Sequence, residues 1–483
     1  MSRPGVSVEA SREGQERQGH LSGRLGRMPL KKQVLTLAMW PFLEQVLGFV
    51  VATVDLVLAA GLGEGDTRLA MMDAMGMGGY LGWFLMIFQG AVGTGVMALV
   101  SRETGARNYQ VARAGTLQGI LLGAMVGLFV VLFVKMLLPT LLGAFNLTEA
   151  AVGFAMEYIG VMVWSAPILG VLLALNNALR GSGDTRTPFT AMIVVNIVNV
   201  AMSLLFVSEL PGVGGRGMQG LALGTVLGWL AGVIFLLVTI WLRREKEDDE
   251  ARLILRGLPV RFDKGLMARI ARVGIPQALE MGGMWTIQMV MLRAIASLPG
   301  SGVVGAHFLA IRVESMSFLP GFAIGSAGAT LVGQYLGAKN PEMAVRSVRY
   351  CWRYALIFMG ILGIVFLLIP DRLVGLIVVD GSDAEHFQRL AVPLVFWCGL
   401  TQPFLATTLI MKTTMRGAGA TYQVMVVSFA IMLFFRVFLI PVGVVKFGLT
   451  LQGVWIVMAC DVFTQSIVFT VLHFRGYWLR ARV

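Results

Sequence analysis

Charge is scarce in this 483-residue chain: Asp, Glu, Lys and Arg together make up 14% of it, against about 25% in an average soluble domain. So little charge cannot cover a soluble surface, and a water-facing chain of this kind would expose apolar patches and associate. Cysteine is almost missing. Cys351, Cys398 and Cys460 are odd in number and show no C-x-x-C spacing, which excludes a disulfide scaffold and leaves them as small apolar residues. Histidine is rarer than in most enzymes, and His20, His307, His386 and His473 are scattered, which argues against a membrane enzyme with a clustered catalytic centre. No phosphate-cradling G-x-x-x-x-G-K-[ST] segment occurs, so ATP hydrolysis does not drive the protein.

What is present is apolar. Hydrophobic residues reach 57% with a mean hydropathy of +0.77. A helix needs about 20 apolar residues to cross a bilayer. Such runs fall near 34–60, 74–100, 114–138, 150–175, 188–207 and 218–242, and again near 267–297, 303–336, 347–369, 386–411, 421–445 and 451–473. The expected fold is therefore all-α and polytopic, with twelve transmembrane helices. Residues 1–33 are polar, without the apolar core of a cleavable signal peptide.

The net charge of +12 would suggest nucleic acid if it formed a patch. It does not. Of 39 Lys and Arg residues, thirty fall on the side that holds both termini and the connections after every second helix, and five (Arg68, Arg216, Arg372, Arg389, Lys446) fall opposite. The positive-inside rule then places both termini in the cytoplasm, in a plasma or inner membrane, and predicts no nucleic-acid partner.

The chain also repeats. Gly105-Ala106-Arg107-Asn108 returns as Gly337-Ala338-Lys339-Asn340, and Arg180-Gly181-Ser182-Gly183 as Arg416-Gly417-Ala418-Gly419. Pro41 pairs with Pro276 and Pro167 with Pro403 at nearly the same offset. Each half contains six helices, so the two six-helix bundles are related by a pseudo-twofold axis along the membrane normal. The implied organisation is a cytoplasmic tail (1–33), an N-lobe (34–242), a charged linker (243–266), a C-lobe (267–473) and a second cytoplasmic tail (474–483). Two linked lobes are suited to rocking about a central cavity, the mechanics of alternating access.

Several of these motifs, in order and duplicated, are similar to those of one family. Val54-Asp55 followed by Gly61-Leu62-Gly63, the Gly-Ala-Arg/Lys-Asn pair, Leu179 to Pro188 leading to Asn196 and Asn199, Gly453-Val454-Trp455 and Arg475-Gly476-Tyr477-Trp478 carry the match. From about 30 to 480 the chain resembles the multidrug and toxic compound extrusion (MATE) family. The resemblance implies a monomeric two-lobe antiporter that exports amphipathic, often cationic small molecules in exchange for H⁺ or Na⁺, with no cofactor and no enzymatic activity. The nearest alternative is a flippase for a lipid-linked sugar or lipid headgroup.

Ionisable residues inside spans cost at least about 2.5–3.5 kcal/mol at a helix centre, so each is a functional candidate. Asp55 matches a helix-1 aspartate of the family, and a desolvated carboxylate can take up a proton or hold Na⁺. The resemblance adds Asn199 of helix 5 and Thr225 of helix 6 to the cation site. Asn196, three residues before Asn199, faces much the same side, and Glu44 could assist. Ser203 stands where many members carry a second aspartate, which weakens a Na⁺ site and favours H⁺. No metal beyond a possible Na⁺ is implied.

In the other half, Met284 occupies the position of a family glutamate, while Glu280 lies one turn earlier. Helix 10 shows Thr401 and Gln402 where some members have an acid. Glu280 is either a substitute in a C-lobe cavity or a cytoplasm-facing carboxylate near Arg269 and Arg272. Arg312 and Glu314 of helix 8 are candidates for the same cavity. Arg436 of helix 11 needs a neutralising partner, and Asp461 of helix 12 is the expected one, as a structural pair.

Overall fold

The computed structural model describes residue 21 and residues 23–143, 148–208, 210, 213–243, 253–257, 261–376, 384–481 and 483. Twelve long helices account for nearly all of these residues, and no strand occurs among them. They are α1 (Leu30–Ala60), α2 (Gly65–Gly105), α3 (Tyr109–Gly143), α4 (Glu149–Ser182), α5 (Arg186–Val207) and α6 (Gly217–Leu242). The second half holds α7 (Lys264–Ala296), α8 (Val303–Gly337), α9 (Pro341–Leu368), α10 (Ala384–Gly417), α11 (Thr421–Phe447) and α12 (Leu451–Arg475). Eleven are long and apolar enough to span a membrane. The exception, α7, is 33 residues long but dilutes its run with Gln277, Glu280 and Gln288. Most of the expected linker, at 244–252 and 258–260, lies outside the described residues, as do residues 1–20 of the expected tail.

The helices run past the apolar windows. Lys412 and Arg416, which read as connection residues in the charge count, lie within α10, and Lys412 is buried. Leu368, Phe358, Met136 and Val445 illustrate why the rest reads as lipid-facing: the backbone is satisfied inside each helix, and apolar side chains can then point outward at no polar cost. All four of these side chains are exposed.

The duplication is visible atom by atom. Among the described residues, only Arg107 (φ 62°) and Lys339 (φ 59°) adopt a left-handed backbone without being glycine. Both close the C-terminus of the second helix of their half, with Asn108 N donating to Glu103 O and Asn340 N to Tyr335 O, each at 2.8 Å. A helix that ends on a left-handed residue satisfies its last carbonyls in this way. Gly183 (φ 97°) and Gly419 (φ 93°) end α4 and α10 in the same fashion.

The two halves meet at the end of the bundle that carries Leu30 and Arg475, here called the terminal face. A Cβ on Gly105 would lie 1.9 Å from the Gln334 carbonyl oxygen, and one on Gly337 would lie 2.0 Å from the Arg102 oxygen. Gln334 Nε2 donates to Gly181 O at 2.8 Å and Thr330 Oγ1 to Arg180 O at 3.1 Å. Arg102 Nη1 reaches across to Ala481 O (2.8 Å) and Ala418 O (3.2 Å), and Arg269 pairs with Glu103. Leu21 and the described residues from 23 onward pack into this junction. Leu21, Leu25, Val34 and Leu37 pack with Tyr335, Val348 and Trp478, and the Tyr335 hydroxyl donates to Gln33 Oε1 at 2.9 Å. Helix α1 therefore begins against the C-lobe and ends, at Ala59, in an N-lobe cluster with Tyr158 and Met218.

Candidate functional site: a polar cluster between α1, α5 and α6

The site begins with glycine. Gly220, Gly224, Gly228 and Gly232 recur every four residues along one side of α6, and this stripe lets α5 approach to backbone distance. A Cβ on Gly224 would meet Ser203 Oγ at 2.1 Å, and one on Gly228 would meet Val195 O at 2.7 Å. Without a hydrophobic driving force between helices in lipid, such close approaches and interhelical hydrogen bonds hold them together. The approach buries Asn196, Asn199 and Ser203 on one face of α5. Asn199 Nδ2 donates to Thr225 Oγ1 at 3.0 Å, and Thr225 Oγ1 also donates to Leu221 O of its own helix.

Helix α1 brings Asp55 to this pair. Its half-buried carboxylate lies within the electrostatic reach of the Asn199 side chain and of Tyr158 of α4. Asp55 Oδ1, Asn199 Oδ1 and Ser203 Oγ are buried without a hydrogen-bond partner, as is Asn196 Nδ2. Buried acceptors of this kind are rare and call for a donor or a cation. The arrangement, a carboxylate with amide and hydroxyl oxygens around it, can accept a proton or a small hard cation. Tyr158 escaped the sequence reading; its signal, a polar ring in an apolar run, is indistinguishable there from an interfacial tyrosine.

Glu44 is not part of this cluster. It lies eleven residues from Asp55 on the same helix, about 16 Å of rise, and its Oε2 pairs with Arg180 Nη2 at 2.5 Å. Its counterpart in the C-lobe is Glu280, whose carboxylate is fully buried and pairs with both Lys412 Nζ and Arg416 Nη2 at 2.8 Å. Arg180 and Arg416 are themselves repeat-related. Glu280 thus neither lines an open cavity nor faces Arg269 and Arg272, because its two partners enclose it.

The remaining candidates separate. Arg312 is exposed and places its guanidinium 5.3 Å from the centre of the Phe49 ring, joining α8 to α1 across the lobes. Glu314 is half-buried and lies within the electrostatic reach of Arg436. Arg436 Nε is 2.5 Å from Asp461 Oδ2, and Gln465 Nε2 donates to the other carboxylate oxygen at 2.8 Å. Among the described residues no cluster of His, Cys, Asp or Glu could hold a metal ion.

Comparison with known proteins agrees with this architecture. The family model MatE matches the chain twice, over residues 41–205 and 276–442, one match per lobe. A probable multidrug resistance protein NorM of Thermotoga maritima is 27% identical over 456 residues, 94% of each chain. A FAD transporter of Shewanella oneidensis is 22% identical over 312 residues, covering 63% of this chain and 66% of its own. The solved outward-facing structure of a multidrug resistance MATE family transporter superposes with a TM-score of 0.84 at 19% identity, over 95% of this chain and 98% of its own. With both lobes matched by the family model and the twelve-helix, two-lobe fold in place, the chain belongs to the MatE family of multi-pass membrane transporters.

Proposed function

We propose that the protein is a secondary exporter that moves amphipathic small molecules out of the cytoplasm in exchange for H⁺, with Asp55 as the coupling residue. One observation carries this reading: Asp55 is held by no cation and keeps a buried carboxylate oxygen without a partner, within reach of Asn199, whereas Glu44, Glu280 and Asp461 are each held by a fixed cation. A carboxylate already paired cannot exchange an ion cheaply; an unpaired one can.

With both termini cytoplasmic, the closed terminal face is the barrier on the cytoplasmic side. An ion entering from outside reaches Asp55, and neutralising the carboxylate changes how α1 packs against α5 and α6. Because α1 also docks on Tyr335 at its other end, that repacking is transmitted to the junction between the lobes. Substrate leaves outward, the lobes rock, and the ion is released on the cytoplasmic side. Ser203 in place of a second carboxylate favours H⁺ over Na⁺, since a hydroxyl supplies no charge to a dehydrated Na⁺. Arg312 and Phe49 offer the substrate a cationic and an aromatic contact at the lobe junction. The relatives named multidrug resistance proteins support the drug-like class.

The test is efflux from proteoliposomes under an imposed pH gradient and, separately, an imposed Na⁺ gradient. Export should follow the pH gradient and be lost in Asp55→Asn. Full gradient-driven export by Asp55→Asn would end this reading.

A further inference from the structure

The C-lobe holds a polar set between the same three helices: by chain order α7, α11 and α12 are the counterparts of α1, α5 and α6, and Gln288, Arg436 and Asp461 meet between them. The turns that open α5 and α11 are 236 residues apart, from Gly183 to Gly419, so Asn199 of α5 falls one residue short of Arg436. Helix α11 contains a π-helical segment, Leu433–Leu439, while α5 is α-helical throughout. A π turn takes in one extra residue, which turns Arg436 rather than its neighbour toward α12. Gln288 of α7 joins the set, with Arg436 Nη1 donating to its Oε1 at 3.4 Å.

The two sets differ in one respect. In the N-lobe, a carboxylate, an amide and a hydroxyl leave acceptor oxygens without partners. In the C-lobe, the acceptor oxygens of Asp461, buried completely, are taken by the Arg436 guanidinium at 2.5 Å and by Gln465. The surroundings reinforce the occupation: His307 and Glu314 of α8 lie in the field of Arg436, and Lys412 of α10 in that of Asp461.

We infer that Arg436 is a tethered cation, a side chain that permanently fills the C-lobe copy of the ion site, so that the N-lobe alone accepts a mobile ion. The inference rests on the N-lobe reading above and adds to it a residue that sets the number of coupling ions. Removing the guanidinium while keeping Asp461 would open a second monovalent-cation site between α7, α11 and α12.

The experiment measures H⁺ uptake and Na⁺ binding by purified full-length protein in lipid nanodiscs. Wild type takes up an Asp55-dependent cation and Asp55→Asn takes up none. Asp55→Asn/Arg436→Gln regains one, which disappears again on adding Asp461→Asn, while Asp55→Asn/Arg436→Lys regains none. If the Asp55→Asn/Arg436→Gln protein is monodisperse and helical but binds neither cation, the inference is overturned. Should Arg436→Gln fail to fold, Arg436→Gln/Asp461→Asn removes both charges and must keep Asp55-dependent uptake unchanged; loss of that uptake also overturns it. Absence of Asp55-dependent uptake in the wild type would instead count against the N-lobe reading.

Discussion

The closed terminal face depends on two glycines, and Gly105→Ala tests it. The new Cβ would lie 1.9 Å from the Gln334 carbonyl oxygen, 2.6 Å from its carbonyl carbon and 2.7 Å from its Cα. To regain the 3.0 Å minimum of real Cβ contacts, one backbone must withdraw by at least 1.1 Å. No side chain can swing aside instead, because all three obstacles are backbone atoms of a helix that belongs to the other lobe. Overpacking of this kind costs about 1–3 kcal/mol. The cost falls only on the state in which α2 and α8 touch, so it shifts the equilibrium between closed and open terminal faces by about 5–150-fold. The measurement is a spin–spin distance between labels on Gln110→Cys and Glu342→Cys, exposed positions just past that junction on either lobe, after Cys351, Cys398 and Cys460 are replaced by Ala. Gly105→Ala should raise a second, longer distance at the expense of the first. Gly76→Ala, on the same helix with nothing within 4 Å of the new methyl group, should not. An unchanged distribution in Gly105→Ala would refute the packing argument.

Two further expectations concern stability. Glu280→Gln leaves Lys412 and Arg416 facing each other in a buried site, and breaking a buried pair costs about 3–5 kcal/mol. Glu44→Gln frees only Arg180, whose side chain is 18% exposed, so its loss should be clearly smaller. Thermal unfolding in detergent compares the two, and equal losses would contradict the enclosed triad. Gly224→Ala pushes against Ser203 N at 2.7 Å, parting α5 from α6 and lengthening the Asn199–Thr225 hydrogen bond. It should lower both the melting temperature and gradient-driven transport, and full transport with unchanged melting would count against the glycine stripe as the scaffold of the site.

Asp55 is conspicuous in the sequence because a carboxylate in an apolar run has few structural excuses, and Arg436 demands a carboxylate partner for the same reason. The ion pair with Asp461 is close enough in sequence, 25 residues along two adjacent helices, to be anticipated. Glu280 is different. Its partners lie 132 and 136 residues away, in a helix whose last turns read as a basic connection. The sequence allows Glu44 to assist Asp55, but the rise along their shared helix separates the two and Arg180 pairs with Glu44.

What the chain encodes locally is solvent and symmetry. Too little charge for water, twelve apolar runs, basic residues on one side and a motif repeated near a spacing of 235 suffice for a twice-six-helix membrane protein, since hydropathy and the need to satisfy the backbone act within each segment. Which intramembrane charges neutralise one another depends on which helix faces meet. That is decided by glycine stripes, by a π turn one residue out of register, and by an N-terminal segment seated on the opposite lobe. These are contacts between distant segments, and the pattern of one segment does not identify the partner it meets, so only the tertiary structure separates the carboxylate left free for an ion from those already paired.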